Sequence, residues 1–179
     1  MTTENRVTVS DADYIRFIQG VELQDIWLHE ARVERLGSAG PSGSVGLEIE
    51  TRVRWGPGEH GFLAFHGFRV HLTTADEQRE EMASADAPDG VATLEAEFAL
   101  LYASEMAATE ELFDRFQEVN LPVNSWPYLR EFVSTTLARM GLNTIFIPAF
   151  KVTSSGPTGE LPRIDGHSKP ESADPELHR

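Results

Sequence analysis

The chain has 179 residues, of which 40% are hydrophobic and none is cysteine. This length is sufficient for one domain with a buried core, and the lack of cysteine excludes disulfides, thiol nucleophiles and thiolate metal sites. Fifteen Lys and Arg against 29 Asp and Glu give a net charge of −14, which disfavours nucleic acid and anionic lipid as partners. The charge is explained either by solubility alone or by a basic partner.

The sequence pattern predicts neither a targeting segment nor a membrane-spanning one. The N-terminal stretch MTTENRVTVSDAD has no basic segment followed by an apolar run, and no run of about 18 apolar residues occurs elsewhere. We therefore expect a soluble, cytoplasmic protein without direct membrane insertion.

The first half of the chain predicts one short helix followed by four strands. Ser10 or Asp11 can cap the helix, which ends near Gly20, after a mobile stretch over residues 1–10. Alternation of apolar and polar residues then predicts strands at Val21–Leu36, Val45–Trp55, Gly61–Thr74 and Val91–Ala103. Residues 37–43 and 75–90 are expected to form loops.

The predicted strands differ in the character of their faces. Period-two alternation places one set of first-strand residues on a single face: Val21, Leu23, Asp25, Trp27, His29, Ala31 and Val33. The second strand alternates apolar and charged residues, as a strand with one buried face does. In the third strand Leu63 and Phe65 lie opposite the other large apolar residues, so both faces are partly apolar, as in a central strand.

The second half of the chain predicts two helices. Apolar residues at helical spacing give a short helix within Glu105–Glu118. The second helix has Ser125 or Trp126 as its cap and Pro127 in its first turn, and it ends at Gly141. Its apolar stripe consists of Leu129, Phe132, Val133, Leu137 and Met140.

These elements predict an α+β domain, in which a four-stranded antiparallel sheet with hairpin-type connections has the main C-terminal helix packed on one face. We divide the chain into an N-terminal segment over 1–20, a domain over 21–152 and a disordered tail, rich in Gly and Pro, over 153–179. A single helical layer leaves the second face of the sheet, which carries Trp27, without a cover. A symmetric oligomer or an apolar ligand would bury that face.

Common catalytic motifs are absent from the sequence, which has no Gly-rich phosphate loop, no G-x-S-x-G and no H-E-x-x-H. Three histidines lie within or beside the third strand, where alternation puts His60 and His66 on one side and His71 on the other. A metal-dependent enzyme using His66 with His60 or His71 is one interpretation, and core or interface histidines are the other. We expect no enzymatic activity, no metal and no cofactor.

The residues that open the second helix carry a resemblance to a known family. Four strands, a short helix and the segment WPYLREFVSTTLARMGLNTIFIPAF resemble the SecB family of export chaperones, whose main helix opens with a Phe-Pro-Tyr-x-Arg-Glu signature. That signature stands here as Trp126, Pro127, Tyr128, Arg130 and Glu131. The segment QDIWLHEARV is similar to the family's Lys-Asp-Ile-x-Phe pattern, with matches at Asp25, Ile26 and Leu28. The resemblance extends over residues 21–150.

The resemblance implies an ATP-independent holdase, which keeps unfolded polypeptides soluble, assembled as a homotetramer through its first strands and main helices. An apolar groove would hold the client, an unfolded preprotein or an antitoxin, since SecB-like proteins serve protein export or antitoxin control. The implied groove residues are Trp126, Tyr128, Leu129, Phe132, Ile145 and Phe146. The implied oligomer interface consists of Val133, Leu137 and Met140.

The family also implies a translocase ATPase, SecA, as a second partner. The implied patch for it consists of Asp25, Trp27, Leu94 and Glu95. A second acidic position of the family's patch is His29 here, and a Pro- and Gly-rich tail replaces the family's C-terminal helix, so the antitoxin role fits at least as well as export. The alternative function is a small-molecule-binding domain that uses the open sheet face.

Overall fold

The structure, a computed structural model, describes residues 9–36, 45–74, 90–142 and 145–151. Over these ranges its elements are α1 (Asp11–Gln19), β1 (Val21–Arg35), β2 (Val45–Gly58), β3 (Gly61–Thr74), β4 (Ala92–Ser104) and α2 (Glu110–Arg139). All four predicted strands are present, and β3 has the predicted bounds. The predicted loop over 37–43, most of the acidic loop, residues 1–8 and the tail over 153–179 lie outside the described residues.

Helix α1 begins where the sequence predicts, because Ser10 caps it. The Ser10 hydroxyl accepts a hydrogen bond from the backbone N–H of Asp13 at 3.2 Å. Phe17 is fully buried and its ring lies 6.1 Å from that of Phe62 and 6.2 Å from that of Phe116. This short helix is therefore anchored by Phe17 in the core, and the hydroxyl of Tyr14 ties it to α2 by donating to the Arg115 carbonyl at 3.3 Å.

The strands form one antiparallel sheet in the order β1-β4-β3-β2. Strands β2 and β3 are joined by a tight hairpin turn at Glu59 and His60. Gly61 follows the turn with a φ of +156°, and a Cβ there would overlap the carbonyl oxygen of Tyr102, so the position requires glycine. The predicted hairpin between the first two strands is wrong, because β1 pairs with β4 at the opposite edge from β2.

Two β-bulges in β1 correct the predicted alternation of this strand. The register against β4 shifts between Leu23 and Asp25 and again between Leu28 and Glu30, and each extra residue moves the following side chains to the other face. Leu23, Leu28 and Val33 therefore share the face that the helices cover. The open face of the sheet receives Asp25, Trp27, Glu30, Arg32 and Glu34.

The described residues of the second half form one helix of 30 residues, α2, where two were predicted. Pro122 and Pro127 lie inside it, and their missing N–H groups free the carbonyls of Glu118 and Val123. Both of these residues are exposed, so water can satisfy the carbonyls. Burial outweighs the lost hydrogen bonds, because every fourth residue over Leu121–Leu137 is fully buried against the sheet.

The ends of α2 are set by ordinary capping residues. The hydroxyl of Thr109 accepts a hydrogen bond from the backbone N–H three residues on, at 3.4 Å. Gly141 ends the helix as predicted, since its φ is +68° and the N–H of Leu142 bonds the Leu137 carbonyl at 3.0 Å. Ser125, one of the two predicted caps, lies instead in the middle of the helix and is fully buried.

The core lies between the helices and the covered sheet face and contains two aromatic clusters. One consists of Phe17, Trp55, Phe62, Tyr102, Phe113 and Phe116. The other consists of Phe68, Phe98, Trp126, Phe132 and Phe150. The second cluster reaches the surface at Tyr128, whose ring centroid lies 6.2 Å from that of Phe98.

Candidate functional site

An apolar strip on the helix-covered side of β1 is left uncovered by the helices. It consists of Leu23, Leu28 and Val33 from β1 and Tyr128 from α2, and we call it the β1 strip. Leu28 is 46% exposed and Tyr128 is 43% exposed, and both flank the buried ring of Phe98. The strip exists because α2 lies over β3 and β4, so the edge strand extends beyond the helix. Grouped apolar side chains at a surface are typical of a binding site.

The backbone beside the β1 strip is also available for binding. Among the described strands only β4 pairs with β1, so the outer row of N–H and C=O groups of Val21–Glu34 has no strand partner within this part of the chain. Such an edge can pair with an extended polypeptide through main-chain hydrogen bonds, which do not depend on sequence. The strip and the edge together suit an apolar, extended chain.

Trp126 lies beneath the C-terminal segment, residues 145–151. Its side chain is 8% exposed, and the indole N–H donates to the carbonyl of Pro148 at 2.7 Å. The ring centroid of Phe150 lies 5.8 Å from that of Trp126, and the ring of Phe68 lies at 6.1 Å on the core side. Pro148 and Phe150 of this segment therefore cover Trp126, and Trp126 separates Phe150 from Phe68.

The remaining predicted groove residues divide between surface and core. Phe146 is 74% exposed, whereas Ile145 and Phe132 are partly buried and Leu129 is fully buried. Tyr128 belongs to the β1 strip. The structure thus brings Tyr128 and Phe132 together around Phe98, but it places Leu129 inside the core.

The residues of the predicted oligomer interface point toward the sheet. Val133 and Leu137 are fully buried, and Met140 is partly buried against the core. Their apolar contacts are made within the single chain, and the interface stays a prediction.

The predicted partner patch is divided between the two faces of the sheet. Asp25, Trp27 and Glu95 lie on the open face, where Glu95 accepts a hydrogen bond from Arg69 at 2.8 Å. Leu94 is fully buried on the helix-covered face, because neighbours in a strand point to opposite sides. Leu94 therefore cannot contribute its side chain to a patch on the open face, and docking of SecA there stays a prediction.

A charged cluster at the centre of the open face has a buried carboxylate in its middle. Glu97 is only 5% exposed and accepts hydrogen bonds from Arg54 at 2.6 and 3.4 Å, with Arg52 at 3.8 Å and His29 at 3.9 Å. The hydrogen bond from Arg54 holds the pKa of the Glu97 carboxyl below its usual range, against the opposing effect of burial. The Arg54 guanidinium also lies 3.5 Å from the ring centroid of Phe65.

The open face also has a shallow hollow with polar walls. It is lined by Glu48, Glu50, Arg69, His71 and Thr93. Charged walls do not suit the apolar small molecule of the alternative function, because most small-molecule pockets are lined by apolar and aromatic side chains. The exposed apolar residues of this face, Trp27 and Leu101, lie away from the hollow.

The three histidines lie apart. His60 is exposed in the β2–β3 turn, His71 lies on the open face, and His66 is buried beneath α2, with Nδ1 2.8 Å from the hydroxyl of Ser125. That hydroxyl also donates to the Leu121 carbonyl at 2.9 Å, which fits a His66 ring that is protonated on Nδ1 and donates to Ser125. Burial lowers the pKa of His66 to about 4. Within the described ranges no three potential ligands form a metal site, and His66 is a core histidine.

Two features that sequence reasoning missed have signals in the sequence. Gly67 pairs with both Arg52 and Glu97, and a Cβ there would lie 2.6 Å from the Arg52 side chain. A glycine inside a central strand indicates such a close approach. Ser125, a polar residue at a buried helical position, indicates a partner across the core, which is His66.

Two of the comparisons with known proteins found no relative of this chain. No protein-family model matches the sequence, and no match was found among curated proteins. No helix in the described part of the chain is long and apolar enough to cross a membrane.

Among solved structures, the chain is similar to the SecB-like chaperone Rv1957 of Mycobacterium tuberculosis, in complex with a ChAD peptide from the Rv1956 HigA1 antitoxin. The two chains are 21% identical, the TM-score is 0.61, and the match covers 78% of this chain and 96% of the other. The resemblance predicted from the sequence is confirmed at the level of the fold. The chain has the α+β fold of the SecB-like chaperones, a four-stranded antiparallel sheet with the main helix on one face.

Proposed function

We propose that this chain is a chaperone that binds unfolded polypeptides and keeps them soluble without ATP. The observation that carries the proposal is the β1 strip beside a strand edge that no other described strand pairs with. An unfolded chain offers apolar side chains and unpaired backbone groups at the same place, and this surface can bind both. A native protein hides both, so binding favours the unfolded state by mass action.

The proposed binding is weak at each contact and strong in sum. Burial of apolar surface contributes about 25 cal/mol for each Å², so the four side chains of the β1 strip hold a client only loosely. We propose a homotetramer, in which one client contacts several strips and the later contacts form at high effective concentration. The proposed activity needs no catalytic residue and no cofactor.

An antitoxin is the client class that the structural comparison favours. The similar chaperone from Mycobacterium tuberculosis was solved with a peptide from an antitoxin, and an unfolded preprotein is the other class we consider. The net charge of −14 favours basic clients over acidic ones. We propose that these clients are bound in the cytoplasm.

Suppression of aggregation tests the proposal. A chemically unfolded apolar protein is diluted into buffer with and without the purified chain, in the absence of ATP, and turbidity is followed while light scattering fixes the mass of the assembly. We expect a tetramer that suppresses aggregation at about one tetramer per client. A monomer that leaves turbidity unchanged would refute both parts of the proposal.

Matched variants locate the binding surface. Leu28→Ser and Tyr128→Ser remove apolar surface from the β1 strip and should weaken suppression several-fold, while Ile15→Ser removes an equally exposed apolar side chain from α1 and should have little effect. Equal losses in all three variants would mean that the strip has no special role. Circular dichroism of each variant checks that it is folded.

A further inference from the structure

The last stretch of β1, Glu30–Arg35, keeps one register against β4 and alternates charged with apolar side chains. Its side chains are exposed. Three charged residues lie on the open face of the sheet and two apolar residues lie on the helix-covered face: Glu30, Arg32 and Glu34 on the first, and Ala31 and Val33 on the second. The stretch thus offers a different kind of side chain on each side of its outer edge.

The direction of the backbone groups in this stretch follows from two hydrogen bonds at the ends of β4. The N–H of Leu36 donates to the carbonyl of Val91 at 2.9 Å, so the even-numbered residues of the stretch turn their backbone groups toward β4. The N–H of Ser104 donates to the carbonyl of His60 at 3.1 Å, so the even-numbered residues of β4 face β3 and its odd-numbered residues face β1. The register pairs even-numbered residues of β1 with odd-numbered residues of β4, so the two hydrogen bonds agree.

The charged residues of the stretch consequently lie where an incoming strand would come closest. Ala31 and Val33 turn their N–H and C=O groups outward, and these groups would exchange hydrogen bonds with an antiparallel strand. The charged residues then occupy the non-hydrogen-bonded positions, at which facing Cα atoms are only about 4.5 Å apart. At such positions opposite charges stabilise the pairing and like charges destabilise it.

We propose that the edge of Glu30–Arg35 selects client segments by charge, and that its preferred segment reads basic, apolar, acidic, apolar, basic. The basic residues face the two glutamates, the acidic residue faces Arg32, and the apolar residues lie beside Val33 on the side of the β1 strip. The ion pair of Arg32 with Glu34 at 3.4 Å is exposed and weak, so a client can replace it. This inference rests on the proposed chaperone function and names the class of segment that the β1 edge holds.

Two peptides of equal composition test the pattern. GSKVEVKSG carries it, and GSKVKVESG has the last two charged residues exchanged, so net charge and apolar content are matched. Each peptide is titrated into the isotope-labelled full chain at low ionic strength. The amide signals of Ala31 and Val33 are followed by NMR, because their N–H groups face outward.

We expect GSKVEVKSG to bind at least about threefold more tightly, because the exchange replaces two attractive pairs with two repulsive ones. Salt at about 0.5 M should reduce this preference, since exposed charges are screened. Arg32→Glu should bind both peptides equally, because each peptide then faces two opposite charges and one like charge. The matched variant Arg16→Glu makes the same change of net charge at an exposed position of α1 and should keep the preference.

Equal affinities of the unchanged chain for the two peptides, or a preference that Arg32→Glu retains, would overturn the inference. Unshifted amides of Ala31 and Val33 would overturn it as well, and they are expected if the edge of a second copy of the chain occupies this stretch. Any of these outcomes with normal suppression of aggregation refutes this inference alone. The expected preference without suppression refutes the chaperone function alone.

Discussion

Acidification is expected to destabilise the fold through His66, which is enclosed between the sheet and α2. Burial lowers the pKa of His66 to about 4 in the folded chain, whereas an unfolded histidine titrates near about 6.5. Between these values the unfolded chain binds a proton that the folded chain does not, so the free energy of unfolding falls as the pH is lowered through this window. At about 1.4 kcal/mol per pKa unit, the loss is about 2 kcal/mol between pH 7 and pH 5 and about 3 kcal/mol by pH 4.

Urea unfolding at several pH values measures this loss. Carboxylates also titrate in acid, so the useful quantity is the difference between the unchanged chain and His66→Asn, which keeps an N–H donor for Ser125 and loses the titrating ring. We expect the stability of His66→Asn to fall by about 2 kcal/mol less than that of the unchanged chain between pH 7 and pH 5. His60→Asn, at an exposed turn, should parallel the unchanged chain.

Parallel curves for the unchanged chain and His66→Asn would refute the reasoning. They would show that the folded chain accepts a proton on His66 as readily as the unfolded chain does. Titration of the His66 ring protons by NMR gives the folded-state pKa directly, and a value near 6.5 would have the same meaning.

Three further changes should alter stability in urea or thermal unfolding. Gly61→Ala should lower the free energy of unfolding by about 3 kcal/mol, because the new Cβ overlaps a backbone carbonyl. The control Gly56→Ala, whose Cβ has no atom within 4 Å, should lower it by less than about 0.5 kcal/mol. Similar losses in the two variants would contradict this reasoning. Pro127→Ala should add about 1 kcal/mol by restoring a helical hydrogen bond, and a loss would show that the proline sets a required bend. Leu129→Ala should lower the free energy of unfolding by about 3 kcal/mol, because Leu129 is fully buried. Tyr128→Ala, at the exposed neighbouring position, should lower it by less than about 1 kcal/mol. The reverse order would mean that the other side of α2 faces the core.

The fold was predictable where local signals and burial agree. Strand β3 has glycine at its start and apolar residues on both faces, and its bounds follow from the sequence alone. Strand β1 was placed correctly, but its faces were not, because a bulge depends on the register with β4 and leaves no mark in the period of one strand. The predicted break before α2 fails for a similar reason, since Pro122 and Pro127 are local signals and the burial that overrides them comes from the sheet.

The candidate site was predictable by region but not by exposure. Trp126 and Tyr128 were both expected near a groove, and the structure separates them: Tyr128 is half-exposed beside β1, and Trp126 lies beneath a segment about twenty positions later in the chain. The pairing of His66 with Ser125 joins positions 59 residues apart. Contacts of such range follow from tertiary packing, which residue spacing within one element does not encode.

The bulges of β1 set a length scale for anything that pairs with its outer edge. They divide the strand into three stretches of unbroken register, Val21–Leu23, Asp25–Leu28 and Glu30–Arg35. A regular incoming strand can pair with one stretch but loses the hydrogen-bond register at the next bulge. Each paired segment is therefore short, and a continuous intermolecular sheet cannot propagate along the edge. The proposed chaperone function would benefit from this geometry, because such an edge would accept short extended stretches without becoming a template for fibrils.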